Sequence, residues 1–328
     1  MYEYVKLVVK KYYVRTLLRR EIKMADDYGK IKRIGMLAYR KIRYELQYFG
    51  LNVAEANKGN EIIKQFIESA KPGFVGRIGA VESRYVSSVI ENRKPTKSNL
   101  RNLELCAGVF PLTDRSMADF YREYTCALSQ TDIFVAWSVQ GGGTLFREYC
   151  PKAKLVGFYA LEPFFYDNPW TEALAHKKVL IIHPFVNTIK QQYEKRELLF
   201  DNKKILPEFQ KIEYVKAVQS NAGNDKEIQF EDWLSALDFM KSEIKKKEFD
   251  IAIIGAGSYG LPLAAYVKKL GKQAIHMAGV TQLLFGIRGK RWDNDKLYHT
   301  FFNKNWCYPS VEETPKGNGQ VEGGTYWK

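Results

Sequence analysis

The chain reads Ile251-Ala252-Ile253-Ile254-Gly255-Ala256-Gly257-Ser258-Tyr259-Gly260, an apolar segment that runs directly into a glycine-rich turn. A helical pattern of apolar residues follows over residues 261–270, and another apolar segment begins at Gln273. This succession predicts a strand, a glycine turn, a helix and a second strand. Such a turn offers backbone N–H groups and a helix N-terminus to a phosphate, so it indicates an anionic ligand, either a nucleotide or a nucleotide-sugar. The predicted contacts are Gly255, Gly257, Ser258 and Tyr259.

Two classes of enzyme fit this turn, and a purely structural role fits it as well. The letters match the G-x-G-x-x-G pattern of dinucleotide-dependent oxidoreductases, which place an acidic residue about 20 positions later to bind the ribose. Here residues 273–282 contain no acidic residue, and the turn lies late in the chain. A nucleotide-sugar-dependent transferase is the second class. The glycines are also suited simply to turning a strand sharply into a helix.

Short apolar segments alternate with helical patterns along most of the chain. This alternation predicts an α/β fold with a mainly parallel, doubly wound, Rossmann-like sheet. Ligands of such sheets bind beyond the carboxyl ends of the strands. The predicted strands are residues 74–78, 132–139, 154–159, 178–183, 214–218, 251–254 and 273–279.

The basic residues are concentrated at the N-terminus. Residues 1–45 contain 13 lysines and arginines against 5 acidic residues, so they carry +8 of the net charge of +14. We interpret residues 1–50 as a basic helical extension and residues 51–328 as the Rossmann-like domain. Apolar and aromatic residues interleave with the charges, which suits a helix on an anionic membrane surface or one packed on the protein body. No nucleic-acid-binding motif accompanies the charge, so nucleic acid is not an expected partner.

The location of the protein is predicted from two absences in the sequence. No uninterrupted apolar segment marks a secretory signal, and no apolar run approaches the ~18 residues that span a bilayer. The four cysteines are widely spaced and form no C-x-x-C pair. We therefore expect a cytoplasmic protein, with peripheral attachment at the inner membrane face through residues 1–45.

Charged and imidazole side chains lie at several predicted strand ends. Glu162 precedes Pro163 and is a candidate general base, although a loop carboxylate in water is an equal reading. His183 ends a very apolar strand, where a phosphate contact or proton transfer competes with a role at the edge of the core. His276 has the same two readings. Arg288, Lys290 and Arg291 form a basic cluster suited either to neutralising a diphosphate or to ending a helix in solvent.

Arg77 and Glu82 follow another strand end. Arg77 is suited to a bidentate contact with phosphate or to pairing with Glu82. Glu82 opens a predicted helix, where a carboxylate often caps the helix itself. It is alternatively a ligand for Mg²⁺ or Mn²⁺, which need only one or two protein carboxylates when phosphate and water complete the shell.

The segment Arg77-Ile78-Gly79-Ala80-Val81-Glu82 resembles the R-[apolar]-G-D-G-E segment of the GT-D-type glycosyltransferases, which contains their D-x-E motif. The glycine-turn block, residues 253–279, resembles the nucleotide-binding region of the same family. The resemblance implies a Rossmann-like glycosyltransferase fold, a UDP-sugar donor contacted by Arg77 and Gly79, and a divalent metal held by Glu82. It also implies transfer to a glycan or a lipid-linked acceptor. Ala80 departs from the motif, because the first acidic residue is missing.

These observations lead to one principal reading and two alternatives. The principal reading is a glycosyltransferase in surface polysaccharide or glycoconjugate synthesis that uses a nucleotide-sugar donor, with Mn²⁺ or Mg²⁺ as a cofactor that Ala80 puts in question. The donor would contact Arg77, Gly79, the glycine turn, His276, Arg288 and Lys290, and Glu162 or His183 would be the catalytic base. The alternatives are an NAD(P)-binding oxidoreductase and a catalytically inactive nucleotide- or glycan-binding protein, which Ala80 favours.

Overall fold

The computed structural model describes residues 28–222, 229–293 and 295–328, with side chains from residue 35 onward. The chain divides into two compact units at residues 51 and 52. In the first unit, helix α1 spans Tyr28–Gln47. The rest of the predicted basic extension, residues 1–27, lies outside the described residues. None of the helices that the structure describes has both the length and the apolar character needed to cross a membrane.

The second unit is built on one eight-stranded sheet in which all neighbouring strands run parallel. Their order in the sheet is β1-β4-β3-β2-β8-β7-β5-β6. The predicted α/β fold with a parallel, doubly wound sheet is confirmed. In chain order the strands are β1 (Val53–Ala54), β2 (Gly73–Gly76), β3 (Ile133–Ala136), β4 (Lys154–Gly157), β5 (Lys178–His183), β6 (Lys211–Lys216), β7 (Ile251–Ile254) and β8 (Gln273–His276).

Helices cover both faces of the sheet, because alternate strand residues point to opposite faces. Ile253 and Ile275 pack in one core cluster with Ile63 of helix α2, whereas Phe74 and Ala252, also fully buried, belong to the opposite face. The longer helices are α2 (Ala56–Glu68), α3 (Ala80–Ile90), α4 (Lys97–Leu105), α5 (Asp114–Ser129), α6 (Gly142–Tyr149), α7 (Val186–Tyr193), α8 (Trp233–Lys245) and α9 (Gly260–Lys269); the short ones are α10 (Thr281–Leu284), α11 (Lys290–Asp293) and α12 (Lys296–His299).

Several predicted strands are longer than the observed ones. The segment predicted as 132–139 is a strand only over Ile133–Ala136, and the segment predicted as 273–279 ends at His276. The segment predicted as 154–159 changes into a 3-10 helix at Phe158–Leu161. In each case the strand ends at the carboxyl edge of the sheet, and the residues that follow continue as a loop or a 3-10 helix.

The order of strands changes direction at the centre of the sheet. From β2 the chain proceeds through β3 to β4 on one side, whereas β5 to β8 form the other side. Strands β2 and β8 lie side by side, with Val75 opposite Ile275. A crevice therefore opens at their carboxyl ends, the usual position for a ligand in this type of fold.

The last part of the chain is anchored to the start of α7 by Glu313. This buried carboxylate accepts hydrogen bonds from the backbone N–H groups of Asn187 (2.7 Å) and Thr188 (3.1 Å) and from the Thr188 hydroxyl (2.5 Å). The backbone carbonyl of Glu313 accepts from the indole N–H of Trp327 (3.2 Å). One acidic residue thus satisfies the N-terminus of α7 and fixes the C-terminal segment.

We expect Glu313→Ala to lower the free energy of unfolding by about 2 kcal/mol or more, because it leaves buried donors of α7 without an acceptor. Urea unfolding at neutral pH measures the loss. The neighbouring Glu312 is exposed, and Glu312→Ala is the matched control that should leave the midpoint unchanged. Equal midpoints for the two variants would contradict the anchoring role of Glu313.

Candidate functional site

A cavity of about 160 Å³ lies at the carboxyl edge of the sheet. The segments that follow β2, β5, β6, β7 and β8 form its walls, and the C-terminal segment adds a further wall through residues 321–327. It therefore occupies the crevice that the reversal of strand order creates between β2 and β8. Of the predicted site residues, those that line the cavity are Arg77, Gly79, Glu82, His183, Gly255, Gly257, Tyr259 and His276.

In the glycine turn after β7, close packing requires glycine at the first position, Gly255, and the third position, Gly257, faces the cavity. The N–H of Gly255 continues the sheet by donating to Ile182 (2.9 Å). A Cβ atom at Gly255 would lie 2.6 Å from the His183 ring and 2.7 Å from the Thr281 hydroxyl, so only glycine fits. Gly257 has φ +53 and open space where a Cβ would be, and it lines the cavity.

Ser258 and Tyr259 brace this turn against helix α8. The Tyr259 ring stacks on the Trp233 ring, with centroids 5.2 Å apart and planes at 8°, and its hydroxyl lies 2.7 Å from that of Ser220. The Ser258 hydroxyl accepts a hydrogen bond from the Trp233 indole (2.9 Å). Tyr259 borders the cavity, whereas Ser258 is turned into the α8 contact and is absent from the lining. Ser258 therefore stabilises the turn from the side that faces α8 and not from the cavity.

Arg77 brings a cation to the cavity immediately after β2. Its guanidinium carbon lies 4.3 Å from the centre of the Trp137 ring and 5.5 Å from that of Phe158. The Trp137 indole donates to the carbonyl of Ile78 (2.9 Å), which fixes the ring that supports the arginine. Burial lowers the pKa of Arg77, and none of the described residues forms an ion pair with it. Arg77 is thus a positioned cation that forms no ion pair with a described residue, although the more distant charges of Glu82 and Glu162 act on it.

The basic cluster at residues 288–291 separates into two groups. Arg288 pairs with Asp293 (2.9 and 3.0 Å) and is absent from the cavity lining. Lys290 is also absent from the lining, and its N–H donates to the carbonyl of Trp327 (2.8 Å). Arg291, which lines the cavity, forms an ion pair with Glu322 and lies over the ring of Tyr326, 5.0 Å from its centre.

His183 reaches the cavity as a neutral ring with a defined tautomer. Its Nδ1 accepts a hydrogen bond from the N–H of Phe185 (3.0 Å), so the ring proton is assigned to Nε2. Burial lowers the pKa of His183 to about 3, which keeps the ring uncharged at neutral pH. This geometry makes His183 a hydrogen-bond donor to a ligand, because the nitrogen that could accept a proton is already engaged.

Two residues of the cavity lining, His276 and Asn221, have buried side-chain atoms without a hydrogen-bond partner among the described residues. The side chain of His276 is 3% exposed, and neither ring nitrogen forms a hydrogen bond with any described residue. Burial lowers its pKa to about 3. The ring packs against Gly260 at the start of α9, where any side chain would collide with it. A buried ring without a partner is unfavourable unless a ligand supplies one.

Glu162 lies outside the cavity lining, in an aromatic environment. It is 1% exposed, and its Oε2 accepts a hydrogen bond from the Tyr298 hydroxyl (2.6 Å). Burial raises the pKa of Glu162 to about 7, although Tyr298 and the charge of Arg77 partly offset the rise. The pKa of Glu162 is therefore close to that of an efficient general base. The residue itself, however, does not share the cavity with His183 and the glycine turn.

The residues around Glu82 do not fit a metal-bound diphosphate. Glu82 is 7% exposed, its carboxylate folds back against Gly79 at the start of α3, and burial raises its pKa, which disfavours the charged form that a metal needs. Ala80 contributes only a methyl group. No group of three or more His, Cys, Asp or Glu side chains suited to a metal occurs in the described part of the chain. Metal binding by Glu82 stays a prediction.

Several cavity residues were not among the predicted site residues. Ser220 and Asn221 follow β6, and the rule that located the other strand ends would have found them. Gln282 lies in α10, shortly after β8, whereas Glu322 and Tyr326 reach the cavity because the C-terminal segment folds back over it. The amide of Gln282 donates to the carbonyls of Arg288 (2.9 Å) and Tyr326 (3.1 Å), a contact that no local pattern in the sequence indicates.

The pKa of Glu162 predicts a pH effect on stability. Its pKa is 4.5 ordinarily and about 7 in the folded protein, so the folded state binds the proton more tightly and stability falls as pH rises through this window. Relative to Glu162→Gln, the wild type should lose about 3 kcal/mol between about pH 4.5 and pH 7. Chemical unfolding across pH 4.5–8 measures this, with the exposed Glu148→Gln as control. Parallel curves for wild type and Glu162→Gln would disprove the shift.

Comparison with known proteins gives one structural likeness. No protein-family model matches the chain, and no curated protein matches it. A solved structure described as a selenomethionine-substituted domain of unknown function, DUF1792, superimposes with a TM-score of 0.43 at 10% sequence identity. The superposition covers 83% of this chain and 95% of that one. The chemistry of the cavity is therefore the basis for the function proposed below.

Proposed function

We propose that the protein is a glycosyltransferase that moves a sugar from a nucleotide-sugar, with a UDP-sugar as the first candidate, to a glycan or lipid-linked acceptor in surface polysaccharide or glycoconjugate synthesis. The observation that carries this proposal is the convergence of Arg77, Arg291 and the glycine turn on one cavity at the carboxyl edge of the sheet. Two cations and a glycine turn at the end of a strand suit a ligand with a diphosphate.

The same arrangement suits the reaction as well as the binding. When the bond between sugar and nucleotide breaks, negative charge develops on the departing diphosphate. Donors and cations already in position stabilise that charge without having to reorganise, which is a large contribution to catalysis. Arg77 is held in place by Trp137 and Phe158, and the Nε2–H of His183 is a further fixed donor.

Two residues are candidates for activating the acceptor, and each of them lacks one property that a catalytic base needs. Glu162 has the more suitable pKa, about 7, but the hydroxyl of Tyr298 occupies one of its oxygens and it does not line the cavity. His183 lines the cavity but is held as a donor. These two observations favour a second candidate function, a protein that binds a nucleotide or nucleotide-sugar without turning it over.

An oxidoreductase that binds NAD(P) is less well supported by the cavity. The strand that follows the glycine turn and its helix is β8, where such enzymes carry the acidic residue that binds the ribose. In this chain β8 ends in His276, followed by Met277 and Ala278. The acidic residues that line the cavity, Glu82 and Glu322, come from other segments.

A lipid-linked acceptor would be helped by attachment to an anionic membrane surface. On α1, Met36, Leu37 and Tyr39 are each exposed by half or more, and Arg40, Lys41 and Arg43 follow them in the sequence. We expect the protein to co-sediment with vesicles containing anionic lipid at low salt and to be released at high salt. Absence of binding at low salt would contradict peripheral attachment.

The function is tested by the binding of nucleotides to the wild-type protein and to two glycine variants. A panel of UDP, GDP, CMP, NAD⁺ and NADP⁺ at about 100 times the dissociation constant should show about 2.7 kcal/mol of stabilisation for the true ligand. Gly257→Ala should weaken that ligand's binding, because the new methyl group enters the cavity from a position with φ +53. Gly271→Ala is the matched control: Gly271 also has positive φ (+76) and open space, but it is absent from the cavity lining.

The two variants share the cost of placing alanine at positive φ, so a difference between them in affinity reports the ligand alone. Equal affinities would contradict the position assigned to the diphosphate. Stabilisation by NAD⁺ or NADP⁺ and by no other member of the panel would replace the transferase with an oxidoreductase. Binding of a nucleoside diphosphate, with no release of sugar from any nucleotide-sugar supplied with acceptor glycans, would support the second candidate function.

A further inference from the structure

We infer that Arg77 and Arg291 together hold the diphosphate of the ligand in the place that a divalent cation takes in many nucleotide-sugar sites. This inference rests on the proposed function and deepens it, because it states how the charge of the ligand is neutralised. It concerns the binding of the diphosphate and holds whether or not the protein turns the ligand over.

The first support is the approach of two like charges. Arg77, after β2, and Arg291, in α11, come from segments more than 200 residues apart, yet they border the same cavity, and the charge of Arg291 lowers the pKa of Arg77. Cations that repel one another within a partly buried space are costly unless an anion lies between them. The fold therefore maintains a site that an anion would relieve.

The second support is the difference between the partners of the two arginines. Arg291 is paired with Glu322, whereas Arg77 has aromatic contacts but no ion pair with any described residue. Two successive phosphates would complete this set by pairing with Arg77 and replacing Glu322 on Arg291. Guanidinium groups suit this task because they bind phosphate through two parallel hydrogen bonds.

The third support is the way in which Glu322 is presented. Glu322, Gly323 and Gly324 have φ values of +48, +74 and +82, so three successive residues adopt left-handed conformations. For Glu322 this conformation is strained, and the ion pair with Arg291 compensates for it. The carboxylate thus occupies the position of an anion at the cavity wall, where a phosphate could replace it.

The size of the cavity agrees with this exchange. Its volume of about 160 Å³ is below the roughly 300–1,000 Å³ of typical ligand pockets. Glu322 and Tyr326 of the C-terminal segment account for part of its wall. When the carboxylate of Glu322 leaves Arg291, the part of the wall that this side chain forms opens, and the space for the ligand increases.

The fourth support is the unpartnered ring of His276 at the floor of the cavity, next to the start of α9. The turn that leads into α9 and the two arginines border the cavity beside this ring. The carboxylates available to a metal are less suitable, because Glu82 is folded against Gly79 and Glu322 is engaged with Arg291.

The inference is tested by calorimetric titration of the full-length protein with UDP and, as a probe that lacks the base, with inorganic pyrophosphate. Each titration is done in EDTA and in Mn²⁺. We expect similar dissociation constants in the two conditions. Arg291→Gln and Arg77→Gln should each weaken both probes about tenfold or more, because a charged hydrogen-bonding partner is lost. Glu322→Gln should strengthen binding, because it removes the competing carboxylate.

Two further variants make the test specific. Arg122→Gln removes an arginine that is paired with Asp119 (2.8 Å) on α5, away from the cavity, and should leave binding unchanged. Glu82→Gln separates the two models, because binding by the arginines should persist in this variant, whereas binding through a metal at Glu82 would be abolished. If Arg77→Gln does not fold, Arg291→Gln and Glu322→Gln still give opposite expected effects on a fold that retains Arg77.

Binding that requires Mn²⁺ and is lost in Glu82→Gln would overturn the inference and leave the proposed function standing. Unchanged affinity in Arg291→Gln and Arg77→Gln would also overturn it. Failure of UDP, the other nucleotides of the panel and pyrophosphate to bind in either condition would instead overturn the proposed function, and the inference with it.

Discussion

The site depends on the pairing of β2 with β8 at the centre of the sheet. These strands are about 200 residues apart in the chain, and their register places Val75 opposite Ile275. Neighbouring strands lie about 4.8 Å apart, so the residues that leave the sheet from both strands enter the same narrow space. Arg77 after β2 and His276 at the end of β8 become neighbours for this reason. The adjacent strand β7 adds the glycine turn, and without this order of strands none of these groups would share a cavity.

The interior of the cavity combines groups that are individually costly to bury. Arg77 forms no ion pair with any described residue, the ring nitrogens of His276 form no hydrogen bond with one, and Arg291 repels Arg77. Elsewhere in the described part of the chain most buried polar side chains have partners, as Glu313 and Gln192 illustrate, and Arg196 Nε is the exception. Unsatisfied groups that are concentrated at one position, in a fold that satisfies such groups elsewhere, are typical of a binding site that sacrifices stability for function.

The C-terminal segment serves both the stability of the fold and the shape of the cavity. Glu313 satisfies the N-terminus of α7, and Trp327 returns to the carbonyl of Glu313. Between these anchors the chain passes over the cavity and presents Glu322 and Tyr326 to it. The two anchors, Glu313 and Trp327, are buried and their polar groups are satisfied by hydrogen bonds. The ion pair of Glu322, in contrast, is partly exposed. The segment is therefore firmly attached at its ends, and its charged contact at the cavity is a partly exposed ion pair.

The sequence by itself determined the fold class and the local elements. Alternating apolar segments and helices predicted the parallel sheet, and the glycine turn could be located because strand, turn and helix are all set by neighbouring residues. It also pointed to Arg77, His183 and His276, because residues at strand ends meet at one edge of a parallel sheet. Only the tertiary structure decided which side chains enter the cavity. Arg288 pairs with Asp293, Ser258 turns toward Trp233 and Glu162 binds Tyr298, so these three are absent from the lining, whereas Arg291, Glu322 and Tyr326 line it. Those outcomes depend on contacts between distant segments, and local periodicity contains no information about the direction in which a long side chain finds its partner.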